Sequence, residues 1–211
     1  MARWANKTRR RRSSPLSPRR QAVASRSFWL LLLFTVLVYP VQAGVSLHQA
    51  PYLIERGIAP AIAATVVSTF SLMSAVASIA CGLQPKSLPI RWSLALTGAV
   101  LGAGVFAMLQ VATTVEAYLA ASLFGLGIGG ILTLLPVAWA DYFGRASFGA
   151  IRGVVLSAQV LAQAAGPLLS GALRDLTGNY GLSLECFAVL SCLSIPAALA
   201  AARPPAKAAS A

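Results

Sequence analysis

The sequence predicts an all-α protein that crosses a membrane with six transmembrane helices. Its 211 residues are 57% hydrophobic and only 10% charged, whereas an ordinary soluble domain carries about 25% charged residues. Six stretches of the chain contain no charged residue: 27–54, 57–85, 92–115, 117–140, 153–173 and the shorter 186–202. Because a helix rises 1.5 Å per residue, about 20 apolar residues cross a hydrocarbon core of roughly 30 Å. These six stretches leave almost no chain for a water-soluble domain.

Each uncharged stretch predicts one helix, and each helix is apolar on all sides, unlike the helices of soluble proteins. In chain order, the expected spans are 28–48, 61–83, 92–112, 117–139, 152–173 and 182–201. The connection at 113–116 has room only for a tight turn, so helices three and four are expected to be antiparallel neighbours. Residues 177–181, with two glycines and an asparagine, predict the turn before the last helix.

The chain divides into a basic arm (1–27), a six-helix transmembrane domain (28–202) and a short tail (203–211). The arm holds nine of the 17 lysines and arginines, and its Ser/Pro-rich segment 13–18 predicts disorder. A basic arm that leads into an apolar helix is typical of cytoplasmic retention and binding to anionic lipids. Nucleic-acid binding is disfavoured, because Trp4 is the only aromatic residue of the arm available for base stacking.

Basic residues also predict the orientation in the membrane. With the N-terminus in the cytoplasm, fifteen lysines and arginines lie on the inner face and two, Arg56 and Arg174, on the outer face. Both termini of this integral membrane protein are therefore expected to be cytoplasmic, in the plasma membrane, which would be the inner membrane of a bacterium. The first helix also resembles a signal peptide, with Val41-Gln42-Ala43 as a cleavage site, but its apolar segment continues to Leu47.

Glycines recur on two of the predicted helices. Gly98 and Gly102 on helix three, and Gly125 and Gly129 on helix four, are each four residues apart. Glycine at this spacing allows two helix backbones to approach closely, and close packing stabilises helix pairs in lipid. We expect these glycines to serve helix packing. Bending of a glycine-weakened helix in a moving bundle is the alternative.

Polar side chains at membrane depth are the candidates for function. Tyr39 and Gln42 are three residues apart on helix one, and Ser46 continues the same face. Gln159 and Gln163 share one face of helix five. Because an unpaired amide in hydrocarbon costs several kcal/mol, these groups must face partners or water. They either form interhelical hydrogen bonds or line a hydrated path for a solute.

The residue inventory argues against an enzyme, a cofactor and a metal site. His48 is the only histidine, and the cysteines Cys81, Cys186 and Cys192 lack the paired spacing of a metal site or disulfide framework. The five carboxylates all fall at span ends or in loops: Glu55, Glu116, Asp141, Asp175 and Glu185. General acid–base catalysis within the membrane would need a base beside a nucleophile, and none is placed for it.

Three sequence patches resemble one family. Residues 48–53 (HQAPYL), followed by Gly57-Ile58, resemble the entry to the second half of monocarboxylate- and oxalate/formate-type transporters of the major facilitator superfamily. Residues 140–145 (ADYFGR) and 148–153 (FGAIRG) are similar to the family's loop between the tenth and eleventh helices. Residues 166–180, with GPLLSG and TGNY, are similar to the end of the eleventh helix.

The resemblance implies the C-terminal six-helix half of such a transporter, built from two inverted three-helix repeats. Helices one and four would line the central cavity, and helices two and five would meet the other half. The path candidates are then Tyr39, Gln42, Gln159 and Gln163. Arg145 and Arg152 would belong to a cytoplasmic gate, with Asp141 paired to Arg145, unless that pair is only a local contact.

The expected function is secondary transport of a small solute by alternating access. A half-size chain would work with a separate N-terminal half or as a homodimer, and it could also be the product of a split gene or misplaced start. No span has a basic residue at its centre, which argues against an anionic solute. The alternative is a non-transporting membrane interaction protein or an inactive transporter remnant.

Overall fold

The computed structural model describes residues 23, 25–85, 88–143 and 148–202. Six helices make up almost all of them: α1 (Arg26–Glu55), α2 (Pro60–Gly82), α3 (Ile90–Leu109), α4 (Thr114–Phe143), α5 (Phe148–Thr177) and α6 (Gly181–Ala200). All six are long and apolar enough to cross a membrane, judged by length and composition. The predicted all-α class and the number of spans are confirmed.

Three helices are longer than predicted from the uncharged stretches. α1, α4 and α5 each contain 30 residues, equivalent to about 45 Å. The first span was expected to end at 48, but α1 continues to Glu55. That expected end came from the length needed to cross the hydrocarbon, since the uncharged stretch itself runs to 54. α4 and α5 continue past Asp141 and Arg174, because a charged residue marks the edge of the hydrocarbon and not the end of backbone hydrogen bonding.

Local chemistry explains where α1 begins and where its connection to α2 turns. The Ser25 hydroxyl accepts a hydrogen bond from the Phe28 backbone N–H and caps α1. At the other end of α1, Gly57 has a φ of 84°, in the left-handed region that glycine adopts without steric cost. Pro60 then stands at the first turn of α2, where its missing N–H has no helical partner to lose.

The chain divides into two groups of three consecutive helices, α1–α3 and α4–α6, that pack mainly against each other in equivalent ways. α2 and α3 both pack on α4, and in the same way α5 and α6 both pack on α1. The third helices of the two groups, α3 and α6, contact each other. Exchanging the two groups leaves this set of contacts unchanged. Because successive helices are antiparallel, two groups of three run in opposite directions. The arrangement agrees with the inverted repeats implied by the family resemblance.

The bundle buries α1, α3 and α4 most, whereas α2 and α5 leave most of their surface exposed. Large side chains such as Leu72 and Ile79 on α2 and Leu161 and Leu168 on α5 are more than half exposed. We call the end that holds Arg56 and Arg174 the Arg174 end. The opposite end, which holds Arg91 and Arg152, is the Arg152 end.

The predicted glycines lie at two helix contacts. A Cβ added to Gly129 would overlap the Ser74 carbonyl oxygen of α2, and one on Gly125 would overlap that of Phe70. On α3, a Cβ on Gly98 would lie 2.8 Å from the Ser194 hydroxyl of α6, and one on Gly102 would lie 3.1 Å from Ser191 Cβ. These glycines therefore face α2 and α6, and they do not face each other across the α3–α4 contact.

Other glycines, which the spacing did not identify, also lie close to neighbouring backbones. Gly104 of α3 faces the backbone of Phe124, and Gly127 of α4 faces that of Leu101. On α5, a Cβ on Gly166 would overlap the carbonyl oxygen of Pro40. The glycines at the α3–α4 and α1–α5 contacts thus bring those backbones together.

Candidate functional site

The polar face predicted on α1 continues further than expected. Tyr39, Gln42, Ser46 and Gln49 follow each other at spacings of three and four residues, so they lie along one side of the helix. Tyr39 and Gln49 are buried, and Gln42 and Ser46 are partly buried. A polar stripe therefore runs along the most central part of α1.

The two predicted polar faces, Tyr39 and Gln42 on α1 and Gln159 and Gln163 on α5, meet at one hydrogen bond. The Gln163 amide nitrogen of α5 donates to the Gln42 side-chain oxygen of α1 at 3.2 Å. In this conformation the two amides satisfy part of each other's hydrogen-bonding requirement, as the packing interpretation expects.

A cavity of about 180 Å³ lies where α1, α4 and α5 meet. Its polar lining consists of Tyr39 from α1 and Arg152 and Gln159 from α5, together with Trp139 from α4. The remaining lining is apolar: Leu132, Leu135, Pro136, Val155 and Leu156. Pockets for drug-sized ligands usually measure about 300–1,000 Å³, so this cavity suits a smaller solute.

The structure brings a predicted gate residue into the predicted path. Arg152 is exposed at the start of α5, yet it lines the same cavity as Tyr39 and Gln159. Asp141 is exposed near the end of α4 and belongs to a different cleft. Arg145 lies outside the described residues, so its predicted pairing with Asp141 does too. Of the predicted gate residues, Arg152 therefore lines a cavity together with two of the predicted path residues, and its gate role stays a prediction.

A larger cleft of about 790 Å³ opens at the Arg152 end, between α2, α3 and α4. Its lining includes Gln84, Arg91, Thr133 and Asp141. It contains none of the polar residues of α1 and α5, and it adjoins residues 86–87, which the structure does not describe. The smaller cavity is the better candidate because the polar faces of two helices converge on it.

Three contacts hold the bundle together at the Arg174 end. The Tyr52 hydroxyl donates to the Met108 carbonyl at 3.1 Å. Arg56 donates to the Leu109 carbonyl at 2.9 Å. Arg174 lies 3.3 Å from the Glu55 carboxylate. The end of α1 is thereby joined to α3 and α5.

A few buried polar atoms have no hydrogen-bond partner within the described part of the chain. They are the Ser46 hydroxyl, both polar atoms of the Gln49 amide and the Trp139 indole N–H. Sequence analysis missed Gln49 and Trp139. Gln49 follows Gln42 by seven residues, two helical turns, and this spacing could have placed it on the same face. Trp139 carries no comparable pattern.

Comparisons with known proteins identify relatives among transporters. The chain is 29% identical over 186 residues to monocarboxylate transporter 11 of Mus musculus, covering 80% of this chain and 42% of that protein. It is 30% identical over 167 residues to the Homo sapiens protein of the same name, covering 75% and 36%. Human monocarboxylate transporter 2 is 28% identical over 177 residues, covering 81% and 37%. No family model matches.

Among solved structures, a peptide transporter POT resembles this fold with a TM-score of 0.67 at 18% identity. The alignment covers 82% of this chain and 38% of that transporter. The chain thus spans about two fifths of the length of the proteins it matches. The resemblance predicted from the sequence is confirmed: the chain is related to monocarboxylate transporters over most of its length and has the fold of a six-helix part of a major facilitator superfamily transporter.

Proposed function

We propose that this chain forms part of a secondary transporter and that the cavity between α1, α4 and α5 binds the solute. The observation that carries the proposal is the convergence of Tyr39, Arg152 and Gln159 on one small cavity. Beside it, the Gln42–Gln163 hydrogen bond joins the two helices that supply these groups. Alternating access would open this cavity to one side of the membrane at a time.

The proposed solute is a small monocarboxylate. The relatives named above are monocarboxylate transporters, and the cavity wall supplies hydrogen-bond donors that suit a carboxylate. Arg152 offers a guanidinium, Tyr39 a hydroxyl and Gln159 an amide. Basic residues are missing from the span centres, which is why the sequence disfavours an anion. Arg152 lies near the end of its span, but its side chain contributes to the cavity.

The proposal includes a second six-helix unit that covers the exposed faces of α2 and α5. The chain spans about two fifths of its relatives, which supports such a partner, either a separate chain or a second copy. We keep the plasma membrane as the proposed location. The distribution of lysines and arginines favours an orientation with both termini in the cytoplasm. The named relatives are mammalian, so a bacterial inner membrane stays a sequence-based expectation.

Uptake of radiolabelled pyruvate into proteoliposomes tests the function. We expect uptake by the chain, alone or with the product of an adjacent reading frame that encodes six further spans. Arg152→Gln should lower uptake about tenfold or more, since a hydrogen bond to a charged group contributes about 1.5–3 kcal/mol. Arg91→Gln is the matched control, because Arg91 lies at the same end of the bundle but lines only the larger cleft.

Each outcome selects between the candidate functions. Equal uptake by the Arg91 and Arg152 variants would contradict the assignment of the small cavity. Uptake of neither pyruvate nor any other metabolite, with or without the adjacent half, would favour a non-transporting membrane protein.

A further inference from the structure

The strongest unexplained feature of the bundle is the unpaired amide of Gln49. The side chain is 1% exposed, and neither its oxygen nor its nitrogen has a hydrogen-bond partner within the described residues. Leaving a buried polar group unsatisfied costs about 1–3 kcal/mol. In Gln49 both the amide oxygen and the amide nitrogen are left unsatisfied by the part of the chain that the structure describes, so the cost applies to two groups of one side chain. Most other buried polar side chains of the bundle are paired.

Hydroxyls elsewhere in the bundle show how such groups are satisfied in this protein. Thr35, Ser191 and Thr133 each donate to the carbonyl four residues earlier in their own helix. Rotation of the Ser46 hydroxyl could give it the same kind of bond. Gln49 differs, because an amide carries two donors and an acceptor and one backbone carbonyl cannot satisfy them all. Its partner must come from outside the turn of helix in which it lies.

The position of Gln49 relates it to the solute path. Along the polar face of α1, Tyr39 lines the cavity and Gln42 bonds to Gln163. Ser46 and Gln49 follow beyond that bond, toward the Arg174 end. The contacts of Tyr52, Arg56 and Glu55 close this end one to two turns further along. Gln49 is thus sealed between the glutamine pair and the closed end of the bundle.

We infer that Gln49, together with Ser46, lines the part of the solute path at the Arg174 end. This part is sealed in the present conformation and hydrated in the opposite one. The inference rests on the proposed function, because alternating access requires a path on both sides of the glutamine pair. Opening the Arg174 end would supply the Gln49 amide with water or with the carboxylate of the solute. The cost of the unpaired amide then favours the conformation in which that end is open.

Cysteine accessibility tests the inference on the full chain. In a background in which Cys81, Cys186 and Cys192 are replaced by alanine, Gln49→Cys is labelled with a membrane-impermeant thiol reagent in intact cells and in inverted vesicles. The matched control is Leu101→Cys, equally buried but on α3. Gln159→Cys reports on the cavity.

We expect Gln49→Cys to react at least tenfold faster than Leu101→Cys, and from the side of the membrane opposite to that which labels Gln159→Cys. Saturating pyruvate should slow the Gln49→Cys reaction at least threefold. A rate equal to that of Leu101→Cys from both sides would overturn the inference and would indicate a permanently buried amide. Ser46→Cys supplies a second reporter on the same face if Gln49→Cys does not fold.

Pyruvate uptake measured in parallel with the unsubstituted chain separates this inference from the proposed function. Normal uptake with an unreactive Gln49→Cys overturns only the role of Gln49. Labelling of Gln49→Cys without any uptake, with or without the adjacent half, supports a hydrated face on α1 and overturns the transport proposal.

Discussion

At the scale of single residues, the hydrogen bond between Gln42 and Gln163 is central to the candidate site. It joins α1 to α5 at 3.2 Å, between the cavity lined by Tyr39 and the sealed side chain of Gln49. The amides form the interhelical hydrogen bond that one interpretation of the sequence predicts. The other interpretation, that they line a hydrated path, stays a prediction.

A double-mutant cycle measures the strength of this bond. Gln42→Leu and Gln163→Leu should each destabilise the bundle, because each leaves one amide unpaired. The double variant should lose less than the sum, with a coupling free energy of about 0.6 kcal/mol and no more than about 1.7 kcal/mol. The free energy of unfolding in detergent and SDS mixtures gives these values. If the losses in the free energy of unfolding of the two single variants add up to that of the double variant, the hydrogen bond contributes nothing to stability. The Gln163→Leu variant should still insert in the membrane.

At the scale of helices, the sequence predicted the number and order of the spans but not their ends or neighbours. Hydropathy locates the hydrocarbon core, so it missed the last turns of α1, which run to Glu55. The spacing of Gly125 and Gly129 predicted a packing face on α4, but it did not identify α2 as the helix that packs there. The closest approach of α3 and α4 involves Gly104 and Gly127, each facing the other helix's backbone. Such contacts depend on the three-dimensional crossing of two helices, which a single sequence does not determine.

Alanine at Gly129 should destabilise the α2–α4 contact. The added Cβ would overlap the Ser74 carbonyl, and backbone atoms cannot yield as a flexible side chain can. We expect a loss of about 1–3 kcal/mol, visible as a lower melting temperature in detergent. Gly171→Ala is the matched control, since that helical glycine has nothing within 4 Å of an added Cβ. It should be neutral or stabilising by up to about 1 kcal/mol, because alanine favours helix. Equal melting temperatures for both variants would contradict the close approach.

At the scale of the whole molecule, the resemblance implied inverted repeats and exposed second and fifth helices, and the structure agrees with both. The cavity itself could not be predicted from the sequence. Tyr39 and Arg152 lie far apart in the chain, and only the packing of α5 on α1 and the approach of α4 bring them together. The family resemblance placed Arg152 at a gate and not at the cavity, because a sequence records depth along a helix but not the direction in which a long side chain extends.

The exposed faces of α2 and α5 predict how a second copy would assemble. A two-fold axis along the membrane normal would place α2 of one copy against α5 of the other, and two such contacts would close the dimer. Differently tagged chains, one with Leu72→Cys and the other with Leu161→Cys, should therefore form a disulfide-linked dimer in membranes, with Cys81, Cys186 and Cys192 replaced. Leu96→Cys on α3 replaces Leu72→Cys in the control, because Leu96 is similarly exposed, at 65% against 61%, but lies on a different helix. Equal cross-linking by both pairs would mean random collision. No cross-linking by either pair would contradict a second copy as the six-helix partner unit.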